Sequence, residues 1–186
     1  MRVIAGTAKG RRLRSTRTRD TRPVTDRAKE SLFNILAPRL PGSNFLDLFA
    51  GTGGIGIEAL SRGCAHATFV ERSASALADI RYNLELTRLA GNAHVVAGDV
   101  FAYLRGTPSP FDLIFVGPPQ WHELWPRTVR ILDRQPGWMA TDAVVVVQHD
   151  PSESTELPLE HLQMFSVRTY ARVRFTFFSR TTGPAA

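Results

Sequence analysis

The sequence has a single cysteine, Cys64, among its 186 residues. One thiol excludes an internal disulfide and a cysteine-based zinc site, and it indicates a reducing compartment such as the cytoplasm. The chain also lacks any apolar run near the roughly 20 residues that a membrane-spanning helix needs. With 43% hydrophobic and 22% charged residues, we expect one globular domain over residues 1–186 and no membrane partner.

Two kinds of catalytic arrangement are missing as well. No serine, histidine and aspartate stand in a pattern that suggests a hydrolytic triad. The five histidines do not follow metal-ligand spacing, so we predict no metal site; they are His66, His94, His122, His149 and His161.

Acidic residues are scarce in the first 30 positions, where ten basic side chains accompany three acidic ones, against a net charge of +6 for the whole chain. Residues 1–24 therefore form a basic extension on a nearly neutral body, which is an electrostatic footprint for nucleic acid. A solvated tail and an organelle transit peptide are the alternatives. The predicted RNA contacts are Arg2, Lys9, Arg11, Arg12, Arg14, Arg22 and Arg27.

The most informative stretch is F-L-D-L-F-A-G-T-G-G-I-G-I-E at 45–58. An apolar run interrupted by Asp47 predicts a buried strand, and four glycines lead into a helix at 55–62. Strand, glycine turn and helix open a nucleotide-binding α/β domain, because glycine lets a ligand approach the backbone and the helix start offers N–H groups.

The same stretch formally matches a dinucleotide fingerprint, G-x-G-x-x-G at 51–56 with Glu71 about 20 residues beyond Gly51. A nicotinamide-dependent oxidoreductase is therefore an alternative. Asp47 argues against it, because a carboxylate near the strand end would repel a pyrophosphate and suits a ligand with positive charge.

Strands and helices alternate along most of the chain. We predict a hairpin over 1–15, a helix capped by Thr25 or Asp26 and ended by Pro38, and a disordered tail over 181–186. The other predicted strands are 65–70, 95–96, 111–116, 143–148, 162–167 and 172–178, and the other helices are 74–90 and 124–132. This order is typical of a doubly wound parallel sheet, which binds ligands beyond the carboxyl ends of its strands.

Carboxylates follow three of these strands, and Gly117-Pro118-Pro119 follows the fourth. Glu71 after the second strand suits ribose hydroxyls, Asp99 after the third suits an adenine amine, and Asp47 would face a cationic group. An adenosine with a positively charged amino-acid tail meets all three demands, and S-adenosylmethionine is such a molecule.

The chain resembles the class I S-adenosylmethionine-dependent methyltransferases and, more narrowly, the bacterial RsmD family, which methylates the exocyclic N2 of a guanine in 16S ribosomal RNA. The segments that carry the resemblance are M-R-V-I-A-G-T-A-K-G-R-R-L (1–13), R-P-V-T-D-R-A-K-E-S-L-F-N-I-L (22–36), F-L-D-L-F-A-G-T-G-G-I-G-I-E-A-L-S-R-G (45–63), F-V-E-R (69–72) and V-G-P-P-Q (116–120). Because the resemblance begins at Met1, the interpretation of the first residues as an organelle transit peptide is disfavoured.

The resemblance implies a Rossmann-like fold with helices on both faces of a mostly parallel twisted sheet, an antiparallel last strand, and a small basic N-terminal hairpin and helix. It implies a monomer that acts on 16S rRNA or the small ribosomal subunit. The implied cofactor contacts are Thr25, Asp47, Ala50, Gly51, Gly53, Glu71, Arg72, Asp99 and Val100.

The chain departs from the related amino methyltransferases at the end of the fourth strand. Those enzymes carry Asp or Asn, then Pro-Pro, then an aromatic residue, whereas this chain has Gly117-Pro118-Pro119-Gln120-Trp121. An acceptor at the first position holds the amine hydrogens and aims the nitrogen lone pair at the methyl group. Gly117 removes a side-chain acceptor and keeps the backbone carbonyl. By analogy with the removal of an oxyanion-hole donor, we expect the missing side chain to lower the rate of transfer on the order of 10²-fold.

The catalytic set implied by this motif is Gly117, Pro118, Pro119 and Trp121, with Trp121 stacked on the flipped base and Trp125 as a weaker candidate. Gly117 also motivates an alternative function, a methyltransferase-fold RNA-binding protein without activity. A DNA adenine methyltransferase shares the Pro-Pro motif but does not explain the N-terminal resemblance.

Overall fold

The structure is a computed structural model that describes residues 1–15, 24–119, 123–153 and 155–181. Its strands are β1 Asn44–Leu48, β2 His66–Glu71, β3 Ala93–Ala97, β4 Phe111–Val116, β5 Met139–His149, β6 Leu162–Tyr170 and β7 Val173–Arg180. The α-helices among these residues are α1 Asp26–Leu36, α2 Gly54–Ser61, α3 Ala74–Thr87, α4 Val100–Leu104 and α5 Leu124–Arg134.

The strands form one sheet in the order β3-β2-β1-β4-β5-β7-β6. Strands β1 to β5 pair in parallel, while β7 runs antiparallel to β5 and β6 antiparallel to β7. The predicted mostly parallel sheet with a closing antiparallel pair is confirmed. The strand order reverses direction between β1 and β4, and this switch point is where open α/β sheets bind ligands.

Helices cover both faces of the sheet because successive strand residues point to opposite sides. Phe45 of β1 joins a buried cluster with residues of α1, α2 and α3, such as Leu32 and Ile80. Leu46 and Leu48 join a second cluster, with α4 and α5. Asp47 therefore points to the side of the sheet that α2 covers.

Several element bounds differ from the sequence expectation. Helix α4 was not predicted, β3 and β5 are longer than expected, and α3 ends at Thr87 rather than at residue 90. Helix α3 stops there because Arg88 adopts a left-handed conformation with φ 60°. Ile35, which the apolar pattern assigned to the buried stripe of α1, is 37% exposed.

The first 15 residues form a hairpin that is packed on the body. Arg2 and Arg12 pair as an antiparallel bridge, and Val3, Ala8 and Leu13 are buried in the α2 side of the core. The hairpin prediction is confirmed for these residues, and a solvated tail is excluded for them.

A buried ion pair joins the hairpin to α1 and α2. Lys29 of α1 and Glu58 of α2 are both fully buried, with Lys29 Nζ 3.0 Å from Glu58 Oε2. Burial lowers the pKa of Lys29, while Glu58 acts in the opposite direction. The Glu58 carboxylate also accepts from the backbone N–H groups of Ile4, at 2.8 Å, and Ala5, at 3.0 Å. Each buried charge is thereby hydrogen-bonded, which such burial requires.

Two glycines of the hairpin give a matched test of this packing. Gly6 and Gly10 both have φ of +83°, but a Cβ on Gly6 would lie 1.7 Å from the Ser61 carbonyl oxygen, whereas one on Gly10 would have no atom within 4 Å. Left-handed strain of ~1–2 kcal/mol is common to both alanine variants. Gly6→Ala should lower the free energy of unfolding by a further ~1–3 kcal/mol through overpacking.

Urea denaturation of the two variants measures this difference. Equal losses for Gly6→Ala and Gly10→Ala would contradict the close docking of the hairpin on α2.

Candidate active site

The glycine turn after β1 is held in place by backbone hydrogen bonds. Ala50 N–H donates to the Val70 carbonyl at 3.1 Å and Gly53 N–H to the Ala50 carbonyl at 2.9 Å. Phe49, at the start of the turn, has φ 61°, which is unusual for an aromatic residue. Its ring meets the Phe101 ring edge-to-face with centroids 6.2 Å apart.

The glycines of the turn have different roles. A Cβ on Gly56 would lie 2.3 Å from the Phe69 ring, and one on Gly53 would lie 3.3 Å from Ile57 and Ile80. These two positions are therefore glycine because neighbouring side chains fill the space that a larger residue would need. A Cβ on Gly51 would have no atom within 4 Å, so Gly51 borders open space at the carboxyl end of β1.

Asp47 lies beneath the turn rather than in the crevice. Its side chain is 1% exposed, and Oδ2 accepts from the Gly56 N–H at 2.9 Å. Burial raises the pKa of Asp47 to about 8, against the hydrogen bond from Gly56, which favours the charged form. The expectation that Asp47 directly faces a cationic group is therefore corrected: the carboxyl group anchors the first turn of α2.

Glu71 and Asp99 lie together at the neighbouring strand ends. Glu71 Oε2 accepts from Gly51 N–H at 2.9 Å, and Oε1 accepts from the N–H groups of Arg72 and Ser73. Gly98 N–H donates to the Glu71 carbonyl at 2.9 Å, which draws the next loop alongside. Asp99 Oδ1 then caps α4 by accepting from Ala102 N–H at 3.0 Å.

These residues fit an adenosine-type cofactor. Open space borders Gly51. Two half-buried carboxylates follow on the next two strands of the sheet, Glu71 at the end of β2 and Asp99 after β3, and each has lone pairs that its backbone bonds leave over. Such acceptors match ribose hydroxyls and an exocyclic amine. Val100 is buried behind Asp99. Thr25 caps α1 by accepting from Ala28 N–H at 3.2 Å, so its established contact is with the helix.

The Gly117-Pro118-Pro119 turn follows β4 directly beside this crevice. Gly117 N–H donates to the Leu48 carbonyl at 3.2 Å, which ties the turn to the end of β1. Pro118 is buried and Pro119 half-buried. A Cβ on Gly117 would lie 2.7 Å from Phe115 Cε1, so the Phe115 ring occupies space that a side-chain acceptor would need. Trp121 lies outside the described residues.

Trp125 is a packing residue, which corrects its candidacy for base stacking. The side chain is 3% exposed, stacks on the His149 ring with centroids 4.9 Å apart, and donates from Nε1 to Glu153 Oε2 at 2.7 Å. No face of its indole is open to a nucleotide base. Burial lowers the pKa of His149.

The basic side chains predicted to contact RNA divide into two groups. Arg2, Arg11 and Arg14 contact the body: Arg2 Nε lies 2.8 Å from Asp26 Oδ2, Arg11 Nη1 donates to the Leu86 carbonyl, and Arg14 Nε pairs with Asp79. Lys9, Arg12 and Arg27 are exposed, and their side chains form no hydrogen bond or ion pair with the part of the chain that the structure describes. Arg22 lies outside that part.

Among the described residues, no group of three or more His, Cys, Asp or Glu side chains could hold a metal ion, and no helix is long and apolar enough to cross a membrane. Cys64 is buried beside the Ser43 hydroxyl at 3.1 Å, and burial raises the pKa of its thiol to about 11.

The fold and the crevice together define a class I methyltransferase. Its marks are the strand order with β7 inserted antiparallel next to β5, the glycine turn after β1, and acidic residues at the ends of β2 and β3. The solved structure of yhhF from Escherichia coli superposes with a TM-score of 0.87 at 32% sequence identity, covering 98% of this chain and 99% of that chain.

The chain belongs to the family described as Conserved hypothetical protein 95, whose profile matches residues 1–179. Ribosomal RNA small subunit methyltransferase D of Escherichia coli (strain K12) is 38% identical over 150 residues, which is 81% of this chain and 75% of the relative. YlbH of Bacillus subtilis (strain 168) is 38% identical over 161 residues, 85% and 86% of the two chains. The resemblance to the RsmD methyltransferases is confirmed.

The buried position of Asp47 generates a pH-dependent prediction. Because its folded-state pKa of about 8 exceeds the usual value near 4 of an unfolded chain, the folded protein holds a proton that the unfolded chain releases between these values. The wild type should therefore lose stability relative to Asp47→Asn as the pH rises from 5 to 8. The unfolding constant of the wild type divided by that of Asp47→Asn should increase by up to about tenfold per pH unit.

Urea denaturation at several pH values measures this ratio. Parallel stability profiles for the wild type and Asp47→Asn would contradict a buried, neutral Asp47.

Proposed function

We propose that this protein transfers a methyl group from S-adenosylmethionine to the exocyclic N2 of a guanine in 16S rRNA of the small ribosomal subunit. The observation that carries the proposal is the arrangement of the strand ends around the β1–β4 switch point, where the order β3-β2-β1-β4 sets Asp99, Glu71, the open side of Gly51 and the Gly117-Pro118-Pro119 turn along one edge of the sheet. The family relatives named as small subunit rRNA methyltransferases support the substrate class.

S-adenosylmethionine, when bound, supplies an electrophilic methyl group on a sulfonium. Glu71 would hold the ribose, Asp99 the adenine amine, and the open side of Gly51 would receive the backbone of the ligand. Asp47 acts from below by fixing Gly56, and Glu71 by fixing Gly51. Positioning of this kind provides much of the catalysis of a two-reactant transfer.

The proline turn would receive the target amine. Pro118 and Pro119 have no N–H group, so the backbone there presents carbonyl acceptors without competing donors. Acceptors that hold the amine hydrogens direct the nitrogen lone pair away from the ring. Since the proton can leave to water after transfer, no side-chain base is required, which agrees with the absence of one in the motif.

The hairpin would provide the grip on RNA. Its exposed Lys9 and Arg12, together with Arg27 on α1, present positive charge that phosphates attract. The arginines bound to the body keep the hairpin in one orientation. We propose that the protein works as a cytoplasmic monomer on the small subunit or its rRNA.

Radiolabelled S-adenosylmethionine tests the function directly. The protein is incubated with 30S particles, and separately with naked rRNA, from a strain that lacks its own enzyme, and the RNA is digested to nucleosides. We expect label in N2-methylguanosine. Absence of label from both substrates, with cofactor binding established by calorimetry, would contradict the proposal and favour the RNA-binding protein without activity that Gly117 suggests.

Gly117 provides a second test of the amine site. Gly117→Asp should lower kcat by at least about tenfold, because the new Cβ meets the Phe115 ring and displaces the turn that receives the amine. Phe115→Leu in the same chain should recover part of the loss, and Phe115→Leu alone serves as the control. A gain of activity in Gly117→Asp with Phe115 intact would indicate that the wild type is an impaired enzyme.

A further inference from the structure

The two ends of the N-terminal hairpin lie close to the glycine turn. Leu13 N–H donates to the Met1 carbonyl at 3.0 Å, so these two ends are side by side. At the first end, Met1 packs on the start of α2: a Cβ on Gly54 would lie 2.1 Å from Met1 Sδ. The thioether therefore rests on the residue that follows Gly53.

The other end is joined to the turn through Asn83. This side chain of α3 is fully buried. Its Oδ1 accepts from Arg14 N–H at 2.7 Å, and its Nδ2 donates to the Arg14 carbonyl at 2.9 Å. The same Nδ2 donates to the Thr52 carbonyl at 3.0 Å. One amide group thus connects the hairpin backbone to the residue between Gly51 and Gly53.

Further contacts align the hairpin along α3. Arg14 Nε pairs with the buried Asp79, and its guanidinium lies 4.4 Å from the centroid of the Tyr82 ring. Arg11 Nη1 donates to the Leu86 carbonyl at 2.7 Å. Asp79, Tyr82, Asn83 and Leu86 stand three to four positions apart, so they share one face of the helix. The hairpin therefore packs on α3 in one defined position. Asn83 is the residue of this contact surface that also binds the glycine turn.

We propose that Asn83 is a positioning residue that couples the N-terminal hairpin to the glycine turn. RNA binding at the hairpin then strengthens cofactor binding at the turn, and cofactor binding strengthens RNA binding. The inference rests on the proposed function, because it assigns RNA to the hairpin and S-adenosylmethionine to the turn. When the hairpin is packed on α3, its bonds to Asn83 hold that side chain in place. Asn83 in turn fixes the Thr52 carbonyl and the Gly51–Gly53 backbone. A ligand that orders this backbone stabilises the same Asn83 bonds, and by linkage the effect is reciprocal.

The coupling is measured with S-adenosylhomocysteine, which binds without turnover. In the wild type, saturating S-adenosylhomocysteine should raise the affinity for 16S rRNA by about fivefold or more at fixed salt concentration. Asn83→Ala should abolish this gain and should also weaken S-adenosylhomocysteine binding in calorimetry by about fivefold or more.

Thr87→Ala is the matched control. Thr87 is a buried polar residue one turn further along α3, and its hydroxyl bonds to the carbonyls of Asn83 and Leu84 within the helix. The variant should lose stability and keep the coupling. Equal coupling in Asn83→Ala and the wild type would overturn the proposal, whereas a wild type that binds no S-adenosylhomocysteine would instead overturn the proposed function.

Hydrogen exchange in the wild type tests the coupling without a variant, in case Asn83→Ala does not fold. Saturating S-adenosylhomocysteine should slow amide exchange of the hairpin residues 11–14, because Asn83 joins this end of the hairpin to the turn. Unchanged exchange at residues 11–14, together with slowed exchange at Gly51 and Gly53, would contradict the coupling between the glycine turn and the hairpin.

Discussion

The structure depends on two carboxyl groups that hold the turn after β1 by its backbone N–H groups. Asp47 binds Gly56 N–H from beneath, and Glu71 binds Gly51 N–H from the neighbouring strand. These bonds fix both ends of a segment whose glycines cannot hold a conformation by themselves, because glycine loses the most freedom on folding. Without that constraint, the open side of Gly51 would have no defined place beside Glu71.

The same turn is the meeting point of the other parts of the molecule. The β4 turn is tied to it through Gly117 and Leu48, and the hairpin through Met1 and Asn83. The buried pair of Lys29 and Glu58 then locks the hairpin to the two helices that flank it. Residues 1–15 of the basic segment are accordingly part of the domain rather than an appendage, and the exposed side chains of Lys9 and Arg12 project from this packed hairpin.

The sequence predicted the mostly parallel sheet and the glycine turn well, because alternating strands and helices with a glycine-rich first turn admit few topologies. It predicted the neighbourhood of Glu71 and Asp99 for the same reason, since parallel strands end at one edge of a sheet. Asp47 was misjudged because its position in the strand gives no sign of which face it points to. The side chain follows Phe45 into the α2 side, and burial then changes its role.

Other features had no local signal at all. The left-handed φ of Phe49 is imposed by the surrounding turn, and an aromatic residue gives no hint of it. Asn83 reads as an ordinary polar residue of an amphipathic helix, because its partners, Arg14 and Thr52, are 69 and 31 positions away. Burial of Trp125 depends on contacts with His149 and Glu153, which are also remote in sequence. Long-range contacts of this kind require the folded structure.

The proposed function requires that the open side of Gly51 is the cofactor site. Calorimetry with S-adenosylhomocysteine on Gly51→Ala and Gly42→Ala tests it, because both glycines have positive φ, +56° and +74°, and neither has an atom within 4 Å of an added Cβ. Backbone strain is therefore similar in the two variants, and only the Cβ on Gly51 enters the proposed site. We expect that Gly51→Ala loses S-adenosylhomocysteine binding while Gly42→Ala keeps the wild-type affinity. Equal affinities in the two variants would contradict a cofactor site at Gly51.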